Sequence, residues 1–159
     1  MGKRFEGDFK TSFIGIENVS CDRIQDSQGH YRGAYTISDF MVYKYPTLYY
    51  FELKATKGKR LSFDHIRPGQ WTGLLAKSAI YGVQAGIVVH YYSEDGCLGV
   101  YYYDIRHLVE LKRQGDKSVS IEDLTGVELD YRLKRVRYKY DVERWLSVLE
   151  QGSGRGISR

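Results

Sequence analysis

The sequence predicts an α/β fold of the α+β kind, in which a mixed central β-sheet is flanked by helices. Phenylalanines that recur every four residues indicate an amphipathic N-terminal helix, at Phe5, Phe9 and Phe13. Residues 37–43 and 48–55 are rich in β-branched and aromatic side chains and flank Pro46, which is typical of a β-hairpin. The nearly continuous apolar run 86–92 indicates a central, buried strand.

Residues 19–35, between the first helix and the hairpin, predict a second hairpin or an extended loop that turns at 26–29. Because this segment carries Arg23 and Arg32, it is a candidate finger for contacting a nucleic-acid backbone. A polar surface hairpin is the alternative, and the sequence leaves both interpretations open.

The basic loop 56–60 follows the main hairpin. It offers potential phosphate contacts from Thr56, Lys57, Lys59 and Arg60. Gly58 gives the loop the freedom to approach a backbone closely, although a solvated turn is the default for such a run. Pro68 then suits the first turn of a helix that runs to about Tyr81.

The last third of the chain alternates strands and helices. A turn at 94–96 leads into the strand 97–103, and Asp104 is a good N-cap for a helix through Lys112. Residues 131–140 carry five basic residues among aromatics. We expect a single strand there, either facing nucleic acid or protecting a sheet edge, and both explanations fit the pattern.

The length of 159 residues is that of one domain. We expect residues 1–150 to form it, ending in a helix capped by Asp141, with 151–159 as a disordered tail. Cys21 and Cys97 fit no metal-binding spacing, so both are expected to be reduced thiols.

The charge and hydropathy of the chain limit its partners. A net charge of +4 permits nucleic acid without requiring it. No run approaches the roughly 18 apolar residues of a membrane span, so we expect a soluble, cytoplasmic protein without a membrane partner.

The most informative feature is the pairing of Asp39 with the tripeptide Glu52-Leu53-Lys54 across the predicted hairpin. If the turn is centred between Tyr45 and Pro46, partner positions sum to 91, which makes Asp39 and Glu52 cross-strand neighbours. Two carboxylates so close repel unless a cation lies between them, and their oxygens suit Mg²⁺ or Mn²⁺. Lys54 lies on the same strand face as Glu52 and can stabilise a phosphoryl transition state.

An ordinary surface ion pair is the alternative for a Glu-Leu-Lys strand. Further polar residues strengthen the functional interpretation. Glu6 lies beside the apolar stripe of the first helix, and Gln70 lies in the first turn of the helix that begins at Pro68, where backbone N–H groups favour an anion.

The ordered set of these motifs resembles the RecU family of Holliday junction resolvases, including phage-encoded relatives, within the PD-(D/E)xK nuclease superfamily. The matching residues cover about positions 2 to 125 and are 2–6, 23–26, 38–40, 52–56, 62–63, Ile66, Gln70, 86–89 and 117–119.

The resemblance implies a restriction-endonuclease-like core with elements in the order α-β-β-β-α-β. It implies that Asp39 and Glu52 bind Mg²⁺, with Mn²⁺ as a substitute, that Lys54 stabilises the transition state, and that Gln70 completes the metal site with support from Glu6. No small-molecule cofactor is expected. The expected DNA-binding residues are Arg4, Arg23, Arg32, Lys57, Lys59, Arg60 and Lys117.

The resemblance also implies a homodimer that places two sites on opposing strands of a four-way junction. We expect its interface on the side of the strands and the N-terminal helix, because Tyr91, Tyr92 and the run 101–103 exceed the apolar material that one face of a small sheet can cover. Met41 replaces an acidic residue that the family usually has, which favours one metal ion over two.

The sequence therefore predicts a Mg²⁺-dependent endonuclease that resolves four-way DNA junctions by paired nicks leaving 5′-phosphates. One alternative is another PD-(D/E)xK deoxyribonuclease, of the restriction or end-processing type. The other is a non-catalytic DNA-binding protein on the same fold, against which the intact Asp39, Glu52 and Lys54 count.

Overall fold

The computed structural model describes residues 1–25 and 36–154 and has three layers, a central sheet between two layers of helices. The helices are α1 (Gly2–Thr11), α2 (Pro68–Ser78), α3 (Ile105–Arg113) and α4 (Val142–Gly154). The strands are β1 (Ser20–Arg23), β2 (Phe40–Lys44), β3 (Thr47–Lys57), β4 (Arg60–Ser62), β5 (Val83–Ser93), β6 (Gly96–Asp104), β7 (Ser118–Ser120), β8 (Val127–Glu128), β9 (Tyr131–Lys134) and β10 (Arg137–Tyr140).

The central sheet is mixed, as predicted. Its strands lie in the order β1-β2-β3-β5-β6-β8. The β3 and β5 strands are parallel, because the α2 crossover returns the chain to the same end of the sheet, and the other neighbours are antiparallel. Two short antiparallel pairs, β4 with β7 and β9 with β10, lie outside this sheet.

Each face of the central sheet buries its own core, because successive side chains of a strand point to opposite faces. Phe51 and Leu53 of β3 pack on the side of α1 and α4, in one cluster with Phe9. Tyr50 and Ile87 pack on the other side, against α2 and α3. The second face is the one that carries Glu52 and Lys54, two and four residues after Tyr50.

The predicted hairpin register is confirmed. Phe40 pairs with Phe51 and Lys44 with Thr47, so partner positions sum to 91. The ladder ends at Phe40, where the N–H of Asp39 donates to the carbonyl of Phe51 at 3.1 Å. Asp39 therefore lies immediately before β2 and beside Glu52 on the neighbouring strand β3.

The single strand predicted over 131–140 is wrong, because the segment folds into the β9–β10 hairpin. Arg135 adopts a positive φ of 60°, a conformation typical of tight turns, and the chain reverses between Lys134 and Arg137. The final helix also runs to Gly154, four residues into the predicted tail. The turn predicted at 26–29 lies outside the described residues.

The tyrosines predicted to supply a dimer interface are mostly buried within the chain. Tyr91 and Tyr103 are fully buried and share a hydrogen bond of 2.8 Å between their hydroxyl oxygens, and Tyr102 lies in the opposite core. They fill the two faces of the sheet, so this argument for a dimer surface is wrong. Within residues 1–25 and 36–154, no helix is long and apolar enough to cross a membrane.

Replacing Phe9 by Ala tests the core beneath α1. Phe9 is fully buried and packs against the rings of Phe5, Phe40, Phe51 and Trp145. We expect Phe9→Ala to lower the free energy of unfolding by about 3–5 kcal/mol in urea denaturation, because the lost ring leaves a cavity.

The control is Ile14→Ala, whose side chain is 78% exposed and should change stability by no more than about 0.5 kcal/mol. Equal effects of the two substitutions would contradict the described core.

Candidate active site

Asp39 is held between β3 and the end of β1 by three hydrogen bonds. Its backbone N–H donates to Phe51, and its carbonyl accepts the N–H of Ile24 at 2.8 Å. Its Oδ2 accepts the N–H of Leu53 at 2.8 Å. A carboxylate that accepts a backbone N–H has little freedom to rotate, so the Leu53 N–H holds the Asp39 carboxylate beside β3.

Glu52 and Lys54 complete the predicted cluster on the same face of β3. The Glu52 residue is 5% exposed, and its carboxyl group is close enough to Asp39 for each group to shift the pKa of the other. The Lys54 Nζ lies 3.3 Å from Glu52 Oε1. The sequence arithmetic thus identified a real juxtaposition of two carboxyl groups and an ammonium group.

The two carboxyl groups resist ionisation together. Burial raises the pKa of Glu52, and the charge of Asp39 raises it further, while Lys54 and Gln70 act in the opposite direction. Burial also raises the pKa of Asp39, opposed by the Leu53 N–H and by Lys54. One nearby ammonium group therefore leaves the pair short of positive charge, a condition that a divalent cation satisfies.

Gln70 lies in the first turn of α2, as predicted, and is buried against Glu52. Its side chain lowers the pKa of Glu52, and its Oε1 accepts the N–H of Arg67 at 3.1 Å. The amide oxygen is therefore already engaged, and the role of Gln70 as a metal ligand stays a prediction. The contact between Arg67 and Gln70 was not predicted from the sequence. The signal available in the sequence was the position of Arg67 directly before Pro68, where the helix starts.

Glu6 approaches the site from α1, on the opposite layer. Its carboxylate pairs with the guanidinium of Arg23 on β1. Burial raises the pKa of Glu6 and the charge of Asp39 raises it further, whereas Arg23 lowers it. Arg23 therefore neutralises a third carboxylate at the margin of the Asp39–Glu52 pair.

The chemistry of the donor set fits Mg²⁺ or Mn²⁺. Asp39 and Glu52 supply carboxylate oxygens, the ligands that these hard cations prefer. Over residues 1–25 and 36–154, no group of three or more acidic, histidine or cysteine side chains is arranged to hold a metal ion. A metal at this pair would therefore take its remaining ligands from backbone carbonyls, amides and water.

The predicted phosphate-binding loop follows directly from β3. Gly58 adopts a positive φ of 94°, which turns the chain from β3 into β4. Lys57 pairs with Glu94 at 3.0 Å, and the Nε of Arg60 donates to the hydroxyl of Ser118 at 3.0 Å. Lys59 is exposed at the tip of this turn.

The other predicted DNA-binding residues are more dispersed. Lys117 is exposed just before β7, and its carbonyl accepts the N–H of Phe63 at 2.9 Å, so it lies at the end of the β4–β7 pair away from Lys59. Arg4 on α1 is exposed, 4.0 Å from Asp8. Arg32 lies outside the described residues. DNA binding by these residues stays a prediction.

Comparison with known proteins identifies the fold. No protein-family model matches the sequence, and no curated protein matches it. Among solved structures, the chain is similar to Hjc of Archaeoglobus fulgidus, a Holliday junction resolvase from an archaeal hyperthermophile. The TM-score is 0.55 at 16% sequence identity, over 80% of this chain and 95% of that one. The predicted mixed sheet with flanking helices is thus confirmed as a resolvase-like fold, while the RecU-like and phage affinities stay predictions.

Replacing Glu52 by Gln tests the electrostatics of the pair. In metal-free buffer we expect the wild-type protein to lose stability as pH rises above the ordinary glutamate pKa of 4.5, because the folded-state pKa is raised. Glu52→Gln should remove this loss and raise the melting temperature at pH 8. Saturating Mg²⁺, at about 100 times its Kd, should raise the wild-type melting temperature by roughly 5–10 °C and leave the variant unchanged.

The control is Glu94→Gln, an exposed carboxylate whose loss should affect neither measurement. A variant Glu52→Gln that melts lower without metal, or that keeps the Mg²⁺ shift, would contradict the metal-site assignment.

Proposed function

We propose that this protein is a Mg²⁺-dependent, structure-selective endonuclease that resolves four-way DNA junctions by nicks that leave 5′-phosphate and 3′-hydroxyl ends. The observation that carries the proposal is the pairing of the half-buried Asp39 with the buried Glu52, with Lys54 Nζ 3.3 Å from Glu52. A binding protein has no need to hold two mutually repelling carboxylates in a site that faces phosphates. The resolvase-like fold supports DNA junctions as the substrate class.

Each side chain of the site has a distinct task in phosphodiester hydrolysis. Asp39 and Glu52 would hold the metal ion, which when bound polarises the scissile phosphate and lowers the pKa of a coordinated water. Lys54 donates hydrogen bonds to the phosphoryl oxygen on which negative charge develops. Gln70, whose side chain lowers the pKa of Glu52, would keep the Glu52 carboxylate ionised beside the metal ion.

Selectivity would come from DNA shape. The described residues include no helix-turn-helix unit or zinc-finger ligand set that could read base edges, whereas exposed cations near the site can bind phosphates. Lys59 and Lys117, on two neighbouring segments, are suited to fixing the position of the backbone relative to Lys54. A protein that contacts phosphates at fixed positions recognises the path of the DNA backbone, and this path differs between a branched junction and a straight duplex.

Replacing Asp39 by Asn tests the catalytic assignment. The amide oxygen of Asn can still accept the Leu53 N–H, so the hairpin should remain folded. Cleavage of a synthetic four-way junction in Mg²⁺ should fall roughly 10²-fold or more, since several kcal/mol of metal-assisted stabilisation are lost. Junction binding should be retained or tightened, because one negative charge facing phosphates is removed.

Asp116→Asn, an exposed position before β7, is the matched control and should cut at the wild-type rate. Near wild-type cleavage by Asp39→Asn would overturn the assignment of the site.

A homodimer is part of this proposal, because a junction has two-fold symmetry and paired nicks require two sites related by that symmetry. One chain carries one Asp39–Glu52 pair. The interface is proposed on the side of the strands and the N-terminal helix, without the buried tyrosines that the sequence had indicated.

Sedimentation at micromolar concentration is expected to show twice the chain mass of 18.5 kDa for the free protein, and two chains for each junction in the complex with DNA. A protein that stays monomeric on the junction would contradict resolution by paired nicks and favour a nickase or an end-processing nuclease.

A further inference from the structure

The β9–β10 hairpin concentrates positive charge on one of its faces. Side chains alternate along each strand, and the register pairs Lys134 with Arg137 and Arg132 with Lys139. Like charges therefore lie directly opposite one another in two successive cross-strand pairs, with Cβ atoms roughly 4.5–5.5 Å apart. Such an arrangement destabilises a two-stranded ribbon unless an anion lies against it.

Most of this charge is uncompensated. Arg137 forms an ion pair with Asp8 on α1 at 2.6 Å. Arg132, Lys134, Arg135 and Lys139 are exposed and form no ion pair with any residue in the described ranges.

Acidic side chains do lie near the base of the hairpin. Arg132 and Lys139 line a groove together with Asp130, Asp141 and Glu143. Asp130 is paired with Arg144 at 3.3 Å. Because the tip residues Lys134 and Arg135 are not among those lining this groove, the tip carries the hairpin's least compensated charge.

The hairpin is firmly attached to the domain. The buried Asp8 accepts the N–H of Tyr138 at 3.1 Å, and the Ser12 hydroxyl accepts the N–H of Tyr140 at 3.0 Å. The rings of Tyr138 and Phe5 contact the buried His90. A ribbon fixed at its root by buried hydrogen bonds and ring contacts holds its charged face in a defined position.

That position is at the active-site end of the sheet. His90, against which the hairpin packs, pairs with Ala55, the residue after Lys54. The Tyr131 hydroxyl donates to the carbonyl of Cys97 at 3.3 Å, near the turn that follows β5. The hairpin and the 56–60 loop therefore lie at the same end of the sheet, with the hairpin on the α1 side.

We propose that the β9–β10 hairpin is a DNA-binding arm, which contacts the phosphate backbone of a duplex arm that extends from the active site. This inference rests on the proposed nuclease function and adds a second contact surface to it. Its ligand is the DNA backbone, because exposed cations such as Lys134 and Arg135, which lie outside the groove, bind phosphates and read no bases. Protection of a sheet edge is a weaker explanation, since it does not require like charges to face each other.

The test removes the two tip cations with the double substitution Lys134→Gln and Arg135→Asn. Asn tolerates the positive φ at position 135, and both side chains are exposed, so the fold is preserved. Binding to a fluorescent four-way junction and to linear duplex is measured by anisotropy in metal-free buffer across a salt series. We expect weaker binding to both, with the slope of log K against log salt smaller by about 1.8, or about 0.9 for each phosphate contact.

Two control variants distinguish a loss of affinity caused by removing the tip cations from one caused by lowering the total charge of the protein. The first, Lys44→Gln with Lys77→Gln, removes two cations near the β2–β3 turn and the end of α2, at the opposite end of the sheet, and should keep the wild-type slope. The second, Lys134→Arg with Arg135→Lys, keeps the tip charge and should keep the wild-type affinity.

An unchanged affinity and slope in the tip variant would overturn the inference, as would equal losses in the tip variant and the Lys44/Lys77 control. The measurement is independent of catalysis. If wild-type protein fails to cut junctions in Mg²⁺ while the tip variant still loses affinity, the proposed nuclease function fails and the binding arm stands.

Discussion

The hydrogen bond from the Leu53 N–H to the Asp39 carboxylate is the interaction on which the candidate site depends. It joins the residue before β2 to the middle of β3 and brings the Asp39 carboxylate close enough to Glu52 for its charge to raise the pKa of Glu52. The cost of burying two acidic groups is visible in their raised pKa values. Proteins tolerate such a cost mainly where the groups have a functional task.

The α2 helix, the α1 helix and the central strands each contribute to the surroundings of the Asp39–Glu52 pair. The α2 helix brings Gln70 against Glu52, and α1 brings Glu6 with its Arg23 partner towards Asp39. The parallel pairing of β3 with β5 buries the central strands, so that Lys54 projects from a rigid support beside its carboxylate. The basic loop after β3 and the β9–β10 hairpin then lie at the same end of the sheet on its two sides, which suits a site that cuts a long polyanion.

The cluster of Asp39, Glu52 and Lys54 was predictable because the partner positions of a hairpin have a constant sum. A turn centred at Tyr45 and Pro46 determines every partner, and period-two alternation assigns each face. The β9–β10 turn was not predictable, because arginine and valine, which form it at positions 135 and 136, are not residue types that favour turns. The burial of the tyrosines was not predictable either, because it depends on which strands lie in the middle of the sheet. Asp8 was overlooked although it lies on the apolar stripe between Phe5 and Phe9, a position where a carboxylate signals a buried partner.

A crystal structure with Mn²⁺ would test the central claim most directly, because the anomalous signal of the metal identifies its position without reference to activity. We expect one strong anomalous peak between the carboxylates of Asp39 and Glu52, at about 2.1 Å from an oxygen of each, as hard divalent cations require. The Glu52→Gln variant should lose this peak. A peak elsewhere in the molecule, or direct pairing of the two carboxyl groups that persists at saturating Mn²⁺, would contradict the assignment of this pair as the metal site.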